Sequence, residues 1–325
     1  MSKIDVLKDL GLEKYKEYFA EEIPLTPQAR YISLVVIRET KSHCIFTTEQ
    51  DVLNTASVQS GRNRQEVIER VVLFKRKQVA PERRTGKSLL RKYKIMELDD
   101  CYLMEKLCGK CPDCLLYGAI QQAVSQKSRL LVDNAYSIRD YDRIHERLTF
   151  QAIDEKTGRP GAAFNDRDHV RPETFFICVI TLRDVTPLEF AYALLNSLRT
   201  KRYGAEGTRI GYVENHVVGI IFSDAECLSN LDLTQRIYDK LVGNGEQPST
   251  IIYEDITKHM DNIVKEAISE EAVVARIIGL KEAEEIIQKF SNVFRNEERV
   301  KDFLVELKSQ ADVYLENYGK SKGIK

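Results

Sequence analysis

The chain has 325 residues and a net charge of only -1, and its length fits one elaborated domain or two modest ones. Hydrophobic residues make up 43%, but no apolar run approaches the ~20 residues that a transmembrane helix requires, and the N-terminus lacks a signal-peptide core. The seven cysteines include four within one short segment, a spacing unlike that of a secreted disulfide framework. The composition therefore predicts a soluble, cytoplasmic protein that does not bind membranes.

The first predicted elements are a helical lead-in over residues 1–27, closed by two prolines, and then two strands. Residues 31–38 are aromatic and β-branched between polar turns, which predicts a strong strand. Residues 44–48 and 67–74 predict two more strands.

The segment from Arg62 to Lys94 carries twelve basic and three acidic residues, a local charge of +9 in a nearly neutral chain. Such a concentration predicts an anion-binding surface, although a solvated helix face is an alternative. Within it, alternation along residues 74–78 predicts a strand with Lys75 and Lys77 on one face and Arg76 on the other. An edge strand guarded by charge is the alternative there. Residues 87–94 predict a helix.

A strand, a helix and a strand follow in the second half of the chain. Residues 174–182 and 216–222 are apolar runs, and Pro187 starts an apolar stripe of helical spacing between them. This order predicts half of an α+β, ferredoxin-like (RNA-recognition-type) antiparallel sheet. The strand over 31–38 supplies the other half, with residues 67–74 or 149–151.

The remaining segments divide the chain further. Residues 126–170 are polar and irregular and predict a lid, while the C-terminal residues are helical and acidic. The predicted organisation is a ferredoxin-like core over 28–80 and 171–250, a zinc-binding insertion over 81–125, a lid over 126–170, and helical parts over 1–27 and 251–325.

Four cysteines form the most specific motif: Cys101, Cys108, Cys111 and Cys114. Cysteines two residues apart converge on one ion from a tight turn, and four thiolates complete the tetrahedral shell of a structural zinc ion. An iron–sulfur cluster and a set of free thiols are the alternatives. Cys101 has the loosest spacing, so His43 or His145 is an alternative fourth ligand.

A second basic motif covers residues 198–211. Arg199, Lys201, Arg202 and Arg209 provide charge for phosphates, and Tyr203 provides a face for base stacking. The alternative is a helix C-terminus whose basic residues complement the helix dipole.

The chemical motifs do not assemble into a catalytic set. The five histidines are scattered, and the aspartates and histidine of residues 165–170 fit a turn better than a metal or general-base site. The sequence therefore predicts a protein that is not an enzyme. The alternative is a metal-dependent nuclease that uses Asp51, Asp166, Asp168 or His43.

The chain resembles the type I-D CRISPR Cascade backbone subunit, a member of the repeat-associated mysterious protein (RAMP) superfamily. The resemblance spans roughly residues 31–243. It rests on residues 52–55, 73–78, 81–83, 108–118, 198–205, 215–220 and 231–238.

The resemblance implies a ferredoxin-like core with zinc, lid and helical parts, and copies that assemble along a CRISPR RNA with other Cascade subunits. Target DNA is then read by pairing with the guide. The lid becomes a thumb whose Lys156 and Arg159 touch guide or target. The implied guide-RNA contacts are Asn54, Lys75, Arg76, Lys77, Arg83, Arg199, Lys201, Arg202, Tyr203 and Arg209. A zinc-containing protein scaffold remains a further alternative.

Overall fold

The computed structural model describes residues 4–48, 52–121, 124–150, 153–159, 161, 165–204, 210–243, 245 and 247–321. Short 3₁₀ helices lie at Glu13–Tyr18 and Leu98–Asp100. The other elements, in chain order, are α1 (Val6–Leu10), β1 (Tyr31–Thr40), β2 (Thr55–Gln59), β3 (Val67–Leu73), α2 (Lys75–Lys92), α3 (Pro112–Tyr117), β4 (Ala119–Gln121), β5 (Val124–Gln126), β6 (Leu130–Val132), β7 (Ala135–Ser137), α4 (Tyr141–Ile144), β8 (His145–Phe150), β9 (Asn165–Val170), β10 (Phe175–Arg183), α5 (Pro187–Arg199), β11 (Val213–Ser223), α6 (Asn230–Val242), α7 (Tyr253–Ser269), β12 (Ala275–Ile278), α8 (Leu280–Phe294) and α9 (Glu297–Ser321).

The main sheet has the strand order β12-β11-β1-β10-β7-β3-β2, with β6 also paired to β10. Every strand pair in it is antiparallel. Two separate hairpins, β4–β5 and β8–β9, lie outside this sheet. The prediction of a mixed protein built on an antiparallel sheet is therefore confirmed.

The predicted strand–helix–strand unit is present as β10, α5 and β11, and β1 lies between the two strands. The start of α5 is well specified by the sequence. Thr186 accepts a hydrogen bond from the Glu189 amide, Glu189 accepts one from the Thr186 amide, and Pro187 occupies the first turn.

Helices cover both faces of the sheet. Leu34, Val36 and Phe222 belong to one apolar cluster, which packs against α1, α2, α5, α8 and α9. Val35 and Ile37 point the other way, into a second cluster with α6 and α7. Because alternate residues of β1 enter different clusters, this strand is buried along nearly its whole length. None of the described helices is long and apolar enough to cross a membrane.

Two predicted strands are wrong. Lys75, Arg76 and Lys77 form the first turn of α2, because β3 ends at Leu73 and the extended Phe74 begins an 18-residue helix. Five residues of alternating charge were too short a pattern to separate a strand from a helix turn. The predicted helix over 87–94 is the second half of α2. Residues 44–48 make a single bridge, from Cys44 to Val170.

The cysteine segment joins the main core. Cys101, Cys111, Cys114, Leu116 and Tyr117 are members of the apolar cluster that contains the inner face of β1. The segment therefore shares the stabilisation of the central sheet, although it is too small to bury a core by itself.

A fully buried arginine connects the sheet to α2. Arg38 of β1 donates to Glu82 and Gln78 of α2, at 3.0 and 3.1 Å. It also donates to the Tyr203 hydroxyl at 2.6 Å and to Asn215 of β11 at 2.8 Å. We call these five residues the Arg38 network.

The Arg38 network is electrically balanced by Glu82. Burial raises the pKa of Tyr203 and of Cys178, which keeps both groups protonated at neutral pH. Glu82 is thus the carboxylate that offsets the charge of the buried Arg38 guanidinium. Arg38 is both ion-paired and hydrogen-bonded, as a charge in the protein interior must be.

Replacing Glu82 with Gln should lower the free energy of unfolding by ~3 kcal/mol, since Arg38 would stay buried without an opposite charge. Urea unfolding followed by circular dichroism measures this. The matched control is Glu297→Gln, which breaks an exposed pair with Lys92 and should leave the free energy of unfolding nearly unchanged. Equal losses in the two variants would contradict the role given to the Arg38 network.

Candidate nucleic-acid interface and candidate metal centre

The four predicted cysteine ligands converge. Their sulfur atoms all lie within 4.8 Å of one another, and Cys101 Sγ is 3.5 Å from Cys114 Sγ and 3.8 Å from Cys111 Sγ. A tetrahedral ion with ~2.3 Å bonds to sulfur places its ligands about 3.8 Å apart. The donor set and spacing of this cysteine cluster therefore fit a metal ion. His43 and His145 bind carboxylates elsewhere, so Cys101 is the fourth member.

Backbone amides surround the sulfur atoms. The amides of Lys110 and Cys111 donate to Cys108 Sγ at 3.4 and 3.2 Å, and the Cys108 amide donates to Cys101 Sγ at 3.4 Å. Such donors stabilise negative charge on sulfur. The turn around Gly109, whose φ is 65°, brings these amides into place.

Helix α2 supplies two cations to this cluster. Lys87 Nζ lies 2.9 Å from Cys101 Sγ and 3.0 Å from Asp113 Oδ2. Arg83 donates twice to the same Asp113 oxygen, at 2.7 and 3.1 Å. All three charged side chains are buried, and they link α2 to the cysteine segment with a net charge of +1 beside the cysteine sulfur atoms.

The first half of α2 also carries exposed positive charge. Arg76 and Arg84 are exposed and Lys77 is half-buried. Burial lowers the pKa of Lys77, and the neighbouring charges of Arg76 and Arg84 lower it further. Three cations are thus held close enough to repel one another, which is the electrostatic signature of an anion site.

The loop after α5 lies against the middle of α2. The hydroxyls of Thr85 and Thr200 are 2.7 Å apart, and Arg84 donates to the Gly204 carbonyl at 3.3 Å. The loop adds Lys201 and the exposed Arg202. Arg76, Lys77, Arg84, Lys201 and Arg202 together make what we call the basic surface.

Tyr212 is the aromatic residue of the basic surface. Its ring is 38% exposed, and the cationic groups of Lys201 and Arg202 lie 5.8 and 5.9 Å from its centroid. The sequence interpretation missed Tyr212 and Arg84. Tyr212 follows Gly211 and directly precedes β11. An aromatic residue at the start of a strand is the sequence signal that could have identified it.

Two predicted RNA contacts are contradicted by their positions. Tyr203 is fully buried in the Arg38 network, so its ring has no face for a base. Arg83 is 9% exposed and binds Asp113. Both residues lie in basic motifs whose charge pattern does not distinguish an inward from an outward side chain.

The other predicted contacts are distributed more widely. Lys75 is exposed, and its amide donates to Asn134. Asn54 accepts from the Thr48 hydroxyl at 2.8 Å and is half-buried. Arg199 donates to the Phe294 carbonyl at the end of α8, as a helix-capping residue does. Arg209 lies outside the described residues.

Two of the residues considered for a nuclease, Asp168 and His43, have other partners. Asp168 is buried and accepts from the Leu53 amide, the Tyr141 hydroxyl and His145. His43 binds Glu146 at 3.0 Å. Within the described part of the chain, Asp166, Asp168 and His43 do not form a group close enough to share one metal ion, and Asp51 lies outside it.

Comparison with known proteins identifies the class of this chain. Its fold is similar to the crystal structure of Csc2 from Thermofilum pendens, with a TM-score of 0.60, 19% identity, and coverage of 97% of this chain and 98% of that one. It is also similar to a chain of a CRISPR RNA-guided surveillance complex in a pre-nicking state, with a TM-score of 0.53, 9% identity, and coverage of 81% and 99%. No curated relative matches the chain.

A family model described as Csc2 Crispr matches residues 18–304. The chain therefore belongs to the Csc2 family of CRISPR proteins. The predicted resemblance to a CRISPR backbone subunit is confirmed at this level.

Asp113→Asn should lower the thermal unfolding temperature by about 4 °C, since Arg83 and Lys87 would lose their shared carboxylate and the loss is ~3 kcal/mol. Differential scanning calorimetry measures the shift. Asp142→Asn, an exposed aspartate in α4, is the control and should shift it by under ~2 °C. A small shift for Asp113→Asn would show that α2 is not linked to the cysteine segment through this carboxylate.

Proposed function

We propose that this protein is the guide-RNA-binding backbone subunit of a type I-D Cascade complex. Several copies oligomerise along the CRISPR RNA and hold it for pairing with target DNA, together with other Cascade subunits in the cytoplasm. The observation that carries the proposal is the basic surface, formed by two distant segments of a Csc2-family chain.

The basic surface suits the backbone of a single RNA strand. In the described part of the chain, no carboxylate forms an ion pair with Lys77 or Lys201, although the charge of Glu214 acts on Lys201, so both ammonium groups can pair with phosphates. Tyr212 takes the base-stacking role that was first predicted for Tyr203. A cationic groove beside one aromatic ring holds a strand without reading its sequence.

The core is proposed to be ferredoxin-like, comprising residues 28–80 and 171–250. The β10–α5–β11 unit around β1 supports this assignment, because a central strand between two strands of one crossover unit is typical of the fold. Residues 81–125 are the zinc-binding part and residues 1–27 and 251–325 the helical parts.

The predicted lid covers residues 126–170, but β6 and β7 in this range belong to the main sheet, so the part after Ser137 is proposed to act as the lid or thumb. The β8–β9 hairpin supports this role, since it stands outside the main sheet. Beyond its strands, Asp154 accepts from the amides of Lys156 and Thr157, both at 2.8 Å, which organises a compact turn. Lys156 and Arg159 are exposed there, where a nucleic-acid strand can reach them.

The cysteine cluster is proposed to hold a structural zinc ion. Zinc would supply four bonds that tie the segment around Cys101 to α3, with no open position for catalysis. The near-tetrahedral sulfur spacing and the amide donors support zinc over free thiols. Since four sulfur ligands would leave this metal no open position, and Asp168 and His43 have other partners, the proposed function is binding without catalysis.

Lys77→Gln combined with Lys201→Gln should weaken single-stranded RNA binding by ~10-fold or more at physiological salt. The slope of log K against log salt should flatten by about 1.4, since each lost phosphate contact removes about 0.7. Fluorescence anisotropy over a salt series measures both quantities.

Lys281→Gln with Lys301→Gln is the matched control, because it removes the same charge from α8 and α9. Tyr212→Phe should retain binding, while Tyr212→Ala should lose ~1–3 kcal/mol of it. The same affinity in the double variant and the control would remove the basic surface from the RNA path, and absence of RNA binding at low salt would overturn the proposed function.

The purified chain should contain about one zinc ion per molecule by mass spectrometry, and Cys111→Ser should lose it. Because the cysteine cluster belongs to the main core, this loss should lower the temperature of a single cooperative transition by on the order of 10 °C. Cys227→Ser, in the cluster on the opposite face, should keep the zinc. Iron with visible absorbance would instead favour an iron–sulfur cluster, and local melting with an unchanged main transition would place the segment outside the core.

A further inference from the structure

A glutamate–histidine cluster, formed by Glu39, Glu214 and His216, lies on the opposite side of the sheet from the Arg38 network. Glu39 of β1 pairs directly with Glu214 of β11, and Ile37 pairs with His216. Because side chains alternate along a strand, Glu214 and His216 project from the same face, next to Glu39. The register of β1 with β11 therefore places the three residues next to one another on one face of the sheet.

The three side chains are close enough to share one ion. One donor atom from each lies within 4.8 Å of the other two. Glu39 is only 5% exposed, and its Oε2 is 3.0 Å from His216 Nε2. The ring of Tyr253, at the start of α7, packs 4.6 Å from the His216 ring and limits its rotation. Two of the three donors are therefore already positioned.

Negative charge dominates the surroundings. Two carboxylates placed directly opposite on neighbouring strands repel each other unless a cation lies between them. Lys41 provides that cation, with Nζ at 2.7 Å from Glu39 and 3.7 Å from Glu214. Glu39 and Glu214 thus share this one lysine.

We propose that Glu39, Glu214 and His216 form a site for a divalent cation of the Mn²⁺ class. Two carboxylates and one imidazole are ligands that this class accepts, and they leave positions open for water or an anion. Donors ~2.1 Å from a metal are about 3 Å apart, so Glu214, whose side chain is 42% exposed, moves inward on binding. Lys41, 41% exposed, then swings its ammonium group into solvent.

The site is separate from the cysteine cluster in chemistry as well as in position. Thiolates select zinc, whereas oxygen ligands suit manganese, so added Mn²⁺ distinguishes the two sites without removal of the metal held by sulfur. The site also lies close to the basic surface, since the Lys41 amide donates to the Tyr212 carbonyl at 2.8 Å. A bound cation would add positive charge beside the proposed RNA path.

Lys41 provides the most specific test, because its ammonium group pairs with the proposed ligands and therefore competes with the metal ion. The full chain is titrated with Mn²⁺ in chelator-free buffer, and free Mn²⁺ is counted by electron paramagnetic resonance. We expect the native chain to bind one Mn²⁺, Lys41→Met to bind it at least ~10-fold more tightly, and Glu214→Gln at least ~10-fold more weakly. Glu254→Gln removes an exposed charge but no ligand and should change affinity by under ~2-fold.

Folding of each variant is checked by its thermal transition. His216→Gln should abolish Mn²⁺ binding while the transition is retained, since the side chain is part-exposed. Native affinity in Glu214→Gln or His216→Gln would overturn the site, as would absence of binding at millimolar Mn²⁺ in the native chain. Binding by Lys41→Met alone would show that the lysine occupies the position permanently, and would also overturn the proposal.

Discussion

Arg38 places a permanent positive charge in the interior of the protein, and the surrounding elements must supply groups that pair with it. The charge requires Glu82 from α2, the Tyr203 hydroxyl from the loop after α5, and Asn215 from β11. Asn215 in turn donates to the carbonyls of Ser197 and Thr200, where α5 ends. Two segments separated by more than a hundred residues in the chain therefore meet at one place. An apolar residue at position 38 would be compatible with several arrangements of the surrounding elements. A buried guanidinium is compatible with few, because it must be ion-paired and hydrogen-bonded.

Helix α2 gives the two candidate sites a common support. One stretch of it holds Arg83 and Lys87 against Asp113 beside the sulfur atoms, and Glu82 in the same turn holds Arg38. Its first turn presents Lys77 to solvent. One helix therefore contacts both the cysteine segment and the central sheet, and Pro81 lies inside it between Lys77 and Arg83.

The sequence predicted the structure best where a residue pattern is compatible with only one kind of structure. The strand, helix and strand from Phe175 to Ser223 follow from apolar runs and a helix cap, and the cysteine spacing led directly to the cluster. The exposure of basic and aromatic residues was harder to predict, because arginine and tyrosine occur both on surfaces and in buried hydrogen-bond networks. The inward positions of Arg83 and Tyr203 depend on Asp113 and Arg38, partners that are distant in sequence. The helical form of residues 75–77 depends on the packing of all of α2, beyond any five-residue pattern.

The double covering of the sheet has a consequence for how such a protein contacts a long ligand. Many RNA-binding sheets offer a broad open face on which several bases lie side by side. Here α6 and α7 occupy one face and α2 and α5 the other, so the central strands β1, β10 and β11 are buried along most of their length. A strand held at the basic surface would then contact loops and helix side chains, and its footprint on one protein copy would be short. In the proposed assembly, coverage of a long strand would depend on the number of copies, and their repeat distance would set the length of strand that is held.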